Sequence, residues 1–253
     1  MICNTICLSI LFTSSKYSYI TKRYANYKIS FLSILLTVLY QIHLIKRLYE
    51  CINVHIFSKH STMNILHYLF GISYYICMPL SIFMINITVN TTDINTNIIT
   101  TNIFHNWYIQ TCLCTFGMYA FIYASYKQSQ IHLILRNLRK NKKSANRKEK
   151  NNQKLKYHIP FGNLFEYLSS PHYVCEILIY ISLYLIYYSL SFARVSRSSP
   201  SSLSSLSLLW SGMILTTMIN LIISAIETNN WYIDKFQMKY IQLKRKILLP
   251  GLW

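Results

Sequence analysis

The stretch YVCEILIYISLYLIYYSLSFA, Tyr173 to Ala193, holds a single charged side chain, Glu176, in a run long enough to cross a bilayer. Spanning the hydrocarbon takes about 20 apolar residues in a helix. Four further windows read the same way: Ile29 to Ile45, Met63 to Ile87, Trp107 to Tyr126 and Leu203 to Ile226. In lipid only a helix or a closed barrel satisfies its own backbone, and windows apolar on every face are helices. The expected fold class is therefore all-α, a polytopic membrane helix bundle with five clear spans. Composition agrees, since 53% of the 253 residues are hydrophobic, 13% are charged, and Gly and Pro number 5 each.

The charges lie between the windows. Seven acids (Glu50, Asp93, Glu149, Glu166, Glu176, Glu227 and Asp234) face 25 Lys and Arg, giving a formal charge of +18. In a soluble chain this excess would suggest nucleic acid, but short basic segments flanking apolar spans set membrane orientation instead, so no nucleic-acid partner is expected. The segment Arg136 to Lys156 carries ten basic residues and one acid, and reads as a cytosolic loop. The Asn/Thr-rich connection around Asp93 has no Lys or Arg and holds two sequons, at Asn86 and Asn90, so that side reads as lumenal. Alternation places the C-terminal tail, with Lys235, Lys239, Lys244, Arg245 and Lys246, in the cytosol. The cluster Lys16 to Lys28 falls on the side that alternation makes lumenal. This predicts a chain lacking at least one membrane crossing upstream of His43.

The seven cysteines show no repeated C-x-x-C spacing and read as packing residues, so no metal is expected. Residues Ile2 to Phe12 have neither a basic leader nor a cleavage site, and make a poor signal peptide.

Glu176 stands out, because a carboxylate within a span costs about 2.5 to 3.5 kcal/mol at mid-depth. Lying near a helix end, it is either a snorkelling residue or a bundle-facing acceptor for a ligand or for a catalytic hydrogen-bond network. Upstream, YHIPFGNLFEYLSSPHY (Tyr157 to Tyr173) gathers aromatic, polar and turn-forming residues. Pro160 and Gly162 break helix, Ser169 and Ser170 can cap the next one, and His172 falls in its first turn, as a structural or a functional histidine. A helix start beside a basic segment offers a site for anionic phosphate.

Four blocks carry a resemblance: KRLYECINVHIFS (Lys46 to Ser58), IHLILRNLRKN (Ile131 to Asn141), IPFGNLFEYLSSPHYVCEILIY (Ile159 to Tyr180), and the ending with Tyr232, Phe236 and RKILLP (Arg245 to Pro250). In order and spacing, from about His43 to Trp253, they resemble the steroid 5-alpha-reductase family, in particular its polyprenol reductase branch. The resemblance implies a membrane-embedded reductase domain over 29–253, with the family's C-terminal region at about 110–253 and a poorly matched segment at 1–28. Full-length relatives would have six or seven spans.

It further implies NADPH held from the cytosolic side and an isoprenoid lipid entering from the bilayer of the endoplasmic reticulum, with no obligate protein partner. By motif position, Gln128, His132 and Arg139 would hold the dinucleotide. His158, His172, Asn220 and Tyr232 would line its pocket, together with Tyr157 and Glu176. Hydride addition to a carbon–carbon double bond needs an electron sink, so the expected substrate is a conjugated aldehyde, polyprenal. Its carbonyl would be polarised by Tyr27, His43 or Tyr157. The branch's histidine three residues before Tyr232 is Asn229 here, and a His-Phe-Tyr triplet usual near KRYANYKIS is absent. A 3-oxo-4-ene steroid reductase and a non-catalytic polytopic receptor are the competing readings.

Overall fold

The computed structural model describes residues 31–55, 65–92, 103–148, 157–195 and 200–248. These are predominantly helical, and the sole β-pairing among the described residues is an isolated bridge between Leu168 and Lys246. Helix α1 spans Phe31–Tyr49 and runs into a π-helical turn, Glu50–Val54; α2 spans Ile65–Thr92 and α3 Ile103–Lys148. A 3-10 turn, Asn163–Glu166, precedes α4 (Pro171–Val195), α5 (Pro200–Phe236) and a short α6 (Met238–Ile241). Each apolar window thus coincides with one helix, α1 to α5 in order. Leu208–Phe236 is the described stretch that is long and apolar enough to cross a membrane, with Gly71–Ile82 a shorter apolar piece.

Two expectations are corrected. The basic segment is helix rather than loop from Arg136 to Lys148, because α3 spans 46 residues, about 69 Å at 1.5 Å per residue. Loss of hydropathy does not end a helix. No Gly or Pro occurs between Gly117 and Pro160, and Lys, Arg, Gln and Leu are good helix formers. The sequon residues Asn86 and Asn90 likewise lie within α2 rather than in a connection. The stretch after Thr92, the cluster Lys16 to Lys28 and Tyr27 lie outside the described residues.

The helices divide into two compact units. The first comprises Met1–Ile45, Thr62–Tyr119 and Ile181–Leu215. Its core includes Leu36, Tyr40, Met78, Ile82, Leu183, Ile186 and Trp210, each no more than 1% exposed. Gly117 of α3 permits a close helix approach there, since a Cβ would stand 2.8 Å from Ile186 Cγ1 and 3.0 Å from the Ser182 carbonyl oxygen. Pro79 sits inside α2, and nearby the Ser81 hydroxyl donates to the Met78 carbonyl at 2.7 Å. Serine and threonine hydroxyls commonly accompany proline in apolar helices in this way.

The second unit comprises Lys46–Ser61, Ala120–Tyr180 and Thr216–Trp253. Ile131, Phe165 and Cys175 form one of its cores, and Ile159, Tyr232 and Tyr240 another. Gly162 takes φ +93°, a conformation L side chains rarely adopt, and Asn163 follows at +54°. Asn163 is held by an Nδ2 hydrogen bond to Gln130 Oε1 at 2.8 Å. The Ser169 amide donates to the Lys246 carbonyl at 2.8 Å and the Lys246 amide to the Tyr167 carbonyl at 2.9 Å. The C-terminal segment is thereby pinned to the residues that lead into α4.

Candidate functional site

Within the second unit, α1's last turn, the π-helical turn, α3 and the start of α4 surround a cavity of about 330 Å³. Its polar lining comprises Arg47, His55, Gln128, His132, Arg136, Arg139, His172 and Glu176. On α3, Gln128, His132, Arg136 and Arg139 follow helical spacing and share a face. On α4, His172 and Glu176 are one turn apart. Ser170, just before the helix, takes the Tyr173 amide on its carbonyl oxygen at 3.2 Å. Its buried hydroxyl has no hydrogen-bond partner among the described residues, so the side-chain cap expected there is replaced by a backbone one.

A closed ring of side chains organises the floor of the site. Gln128 Nε2 donates to Glu176 Oε2, and Gln128 Oε1 accepts from Lys46 Nζ at 2.6 Å. Lys46 Nζ is 3.6 Å from Glu50 Oε1, and Arg47 is 3.3 Å from Glu50 Oε2. The Arg47 Nε, 3.8 Å from Glu176 Oε1, completes the circuit. Two carboxylates are thus matched by two cations, and Arg136 and Arg139 add a net positive rim. That balance answers how Glu176 is tolerated: it is 8% exposed, but its charge is paired and hydrogen-bonded.

The histidines form a chain beside this ring. His132 Nδ1 is 2.9 Å from Glu50 Oε2, an ion-pair distance without the alignment of a directed hydrogen bond. Its ring lies 4.7 Å from that of His55 and 6.1 Å from that of His172. Burial pushes His172 down to about 3, aided by the nearby His132 and Arg47 charges and only partly offset by Glu176, so its imidazole is neutral. Burial alone would raise the Glu50 carboxyl, but the His132 contact and charge, with Lys46 and Arg47, hold it at about 2. Burial likewise lowers Lys46, against the opposing charges of Glu50 and Glu176. Donor atoms of Glu50, His55 and His132 lie within 4.8 Å of one another, a spacing a metal could use. Lys46 and Arg47 already neutralise that carboxylate and would repel a divalent ion, so the chemistry present is hydrogen bonding and ion pairing.

Of the site residues expected from sequence, the structure brings Gln128, His132, Arg139, His172 and Glu176 together on the cavity. His43 is buried on α1 in the first unit. Tyr157 is half exposed, its ring edge-on to Trp231 at 5.2 Å with Lys235 over it at 5.4 Å. His158 is exposed, and Asn220 lies on α5 with its carbonyl accepting from Ser224. Tyr232 stacks on Tyr240 at 5.2 Å within an apolar core. Asn229, standing where the branch has histidine, accepts from the Tyr240 hydroxyl at 2.9 Å. Sequence reasoning missed Lys46, Arg47, Glu50, His55 and Arg136. The spacing of Glu50, four residues after Lys46 and three after Arg47, was the signal that could have found the first three.

Residues 76–196 match the family model described as 3-oxo-5-alpha-steroid 4-dehydrogenase. The matched segment is thus similar to the steroid 5-alpha-reductase family. Within this segment lie Gln128, His132, Arg136, Arg139, His172 and Glu176, whereas Lys46, Arg47 and Glu50 precede it. The chain is 34% identical to a polyprenal reductase of Mesocricetus auratus over 151 residues, 59% of this chain and 41% of the relative. It is 29% identical to the polyprenal reductase of Homo sapiens over 221 residues, 87% of this chain and 59% of the relative. To the polyprenal reductase of Caenorhabditis elegans it is 30% identical over 227 residues, 86% of this chain and 60% of the relative. The chain therefore spans between about two fifths and three fifths of the length of these relatives. No solved structure matches it.

Proposed function

We propose that this chain is a multi-pass membrane reductase that saturates the α-isoprene double bond of polyprenal with NADPH, yielding dolichal on the route to dolichol. The observation that carries the reading is the cationic, histidine-rich cavity lined by Gln128, His132, Arg139, His172 and Glu176, of which the family resemblance gives the first three to the dinucleotide and the other two to the pocket lining. Support also comes from relatives named polyprenal reductase that extend across most of the chain. The residues fit the cofactor: the net positive rim of Arg136 and Arg139 suits its phosphates, and a half-buried neutral His172 and a paired Glu176 suit its polar, uncharged parts.

When bound, NADPH would supply the hydride that adds to the β-carbon of the conjugated aldehyde, and a proton at the α-carbon would complete the saturation. Arg139 and Arg136 would bind its phosphates, Gln128 and Glu176 would orient its polar end, and His132 would close the cavity wall. Tyr157 and His43 remain proposed donors to the aldehyde oxygen, with Tyr27 a third. His158, Asn220 and Tyr232 remain proposed to support the cofactor pocket. The five helices α1 to α5 would each cross the membrane of the endoplasmic reticulum, with the C-terminus cytosolic and the lipid entering sideways.

The test is product analysis after supplying polyprenal and NADPH to membranes containing the protein, with a 3-oxo-4-ene steroid as competitor. Dolichal as the product, undiminished by the steroid, supports the reading. Steroid reduction in place of polyprenal reduction would overturn it.

A further inference from the structure

Glu50 is 3% exposed, yet both of its carboxylate oxygens face donors. Oε1 lies 3.6 Å from Lys46 Nζ and 3.3 Å from Ser129 Oγ; Oε2 lies 3.3 Å from Arg47 and 2.9 Å from His132 Nδ1. It begins the π-helical turn, a local feature frequent at functional sites, and its carbonyl accepts the His55 amide at 2.8 Å, which fixes where His55 leaves that turn. Three cavity-lining side chains, Arg47, His55 and His132, therefore take their position from this one residue, and Glu50 itself does not line the cavity.

We infer that Glu50 is a positioning residue of the cofactor site: its carboxylate holds Lys46, Arg47 and His132 in the arrangement that receives a dinucleotide phosphate, and through the side-chain ring it fixes Glu176. This rests on the reading that the cavity binds NADPH. The chemistry of the position distinguishes charge from shape. A glutamine in the same place keeps the volume but offers a single oxygen, and its NH2 group must then face Lys46, or else Arg47 and His132. Arg47, losing one of its two carboxylates, is drawn toward Glu176. An aspartate keeps two acceptor oxygens and gives up one methylene of reach.

The experiment compares wild type, Glu50→Gln and Glu50→Asp of the full chain in membranes, measuring NADPH binding together with the KM values for NADPH and polyprenal. The expected result is an NADPH dissociation constant and KM raised about tenfold in Glu50→Gln, the loss of one charge-assisted contact network, with the polyprenal KM moved by less than about twofold. Glu50→Asp should recover most of that loss. A merely structural glutamate would damage both substrates alike, and Asp as much as Gln; that pattern overturns the inference. Wild-type NADPH binding with Glu50→Gln within about twofold of it overturns the inference alone, whereas a wild-type protein that binds no NADPH overturns the proposed function as well.

Discussion

A positive side chain at the rim of a cavity and a neutral one in its lining respond differently to change. Arg139 lies at the exposed end of the cavity, so Arg139→Ala should weaken NADPH binding by about 1.5 to 3 kcal/mol, the range for a hydrogen bond to a charged group. The fold should be intact, and an unchanged dissociation constant in a binding titration would remove Arg139 from the cofactor site. His172 makes a prediction about pH. Its folded value of about 3 lies below the usual 6.5, so the unfolded chain binds more protons between those limits, and stability falls as pH drops below about 6.5. His55 is lowered in the same direction and adds to this. Glu50, held at about 2, contributes only at lower pH, losing its stabilisation as pH falls from about 4.5 toward 2. Melting curves of the detergent-solubilised protein should therefore decline from pH 7 to pH 5, and His172→Asn should flatten that slope. A slope unchanged by the substitution would mean that the folded protein does not hold His172 neutral.

At the scale of elements, the five apolar windows were legible because a long run nearly free of charge and of Gly and Pro favours helix, and each window overlaps one helix. Helix ends were not. The fall in hydropathy after Tyr126 reads as a boundary, but α3 contains no breaker before Lys148 and carries on. The family motifs singled out Gln128, His132, Arg139, His172 and Glu176, and the structure gathers these five on one cavity, while Arg47 and Glu50 went unread as site residues because their block served only to carry the resemblance. Ion pairs that close a ring across α1, α3 and α4 have no local sequence signature beyond the Lys46 and Arg47 spacing to Glu50. Two glycines mark where an element cannot give. Gly117→Ala would press a Cβ to 2.8 Å from Ile186, and should destabilise by about 1 to 3 kcal/mol through overpacking, although alanine is the better helix former. Gly162→Ala meets no neighbour but forces φ +93° on an L side chain, and should cost about 1 to 3 kcal/mol and loosen the turn that leads into α4. Thermal melts of both variants check this, and a Gly162→Ala protein as stable as wild type would mean that the turn relaxes without strain.

For the whole molecule, the proposed orientation puts the basic end of α3 and the C-terminal tail in the cytosol. Trypsin added to sealed microsomes should cleave within residues 136–156, which hold ten Lys and Arg, and full protection would overturn the orientation. Cells lacking the protein, with no compensating homologue, should accumulate polyprenal or polyprenol and underglycosylate their proteins, since dolichol carries the glycan precursor. The most direct measurement of the central claim follows the hydride itself. Membranes containing this chain are supplied with polyprenal and NADPH deuterated on the transferred position of the nicotinamide, and the lipid product is analysed by mass spectrometry. The account predicts a dolichal carrying one deuterium, located on the β-carbon of the α-isoprene unit. A product deuterated at the aldehyde carbon with its double bond intact, or a lipid without deuterium, would contradict it.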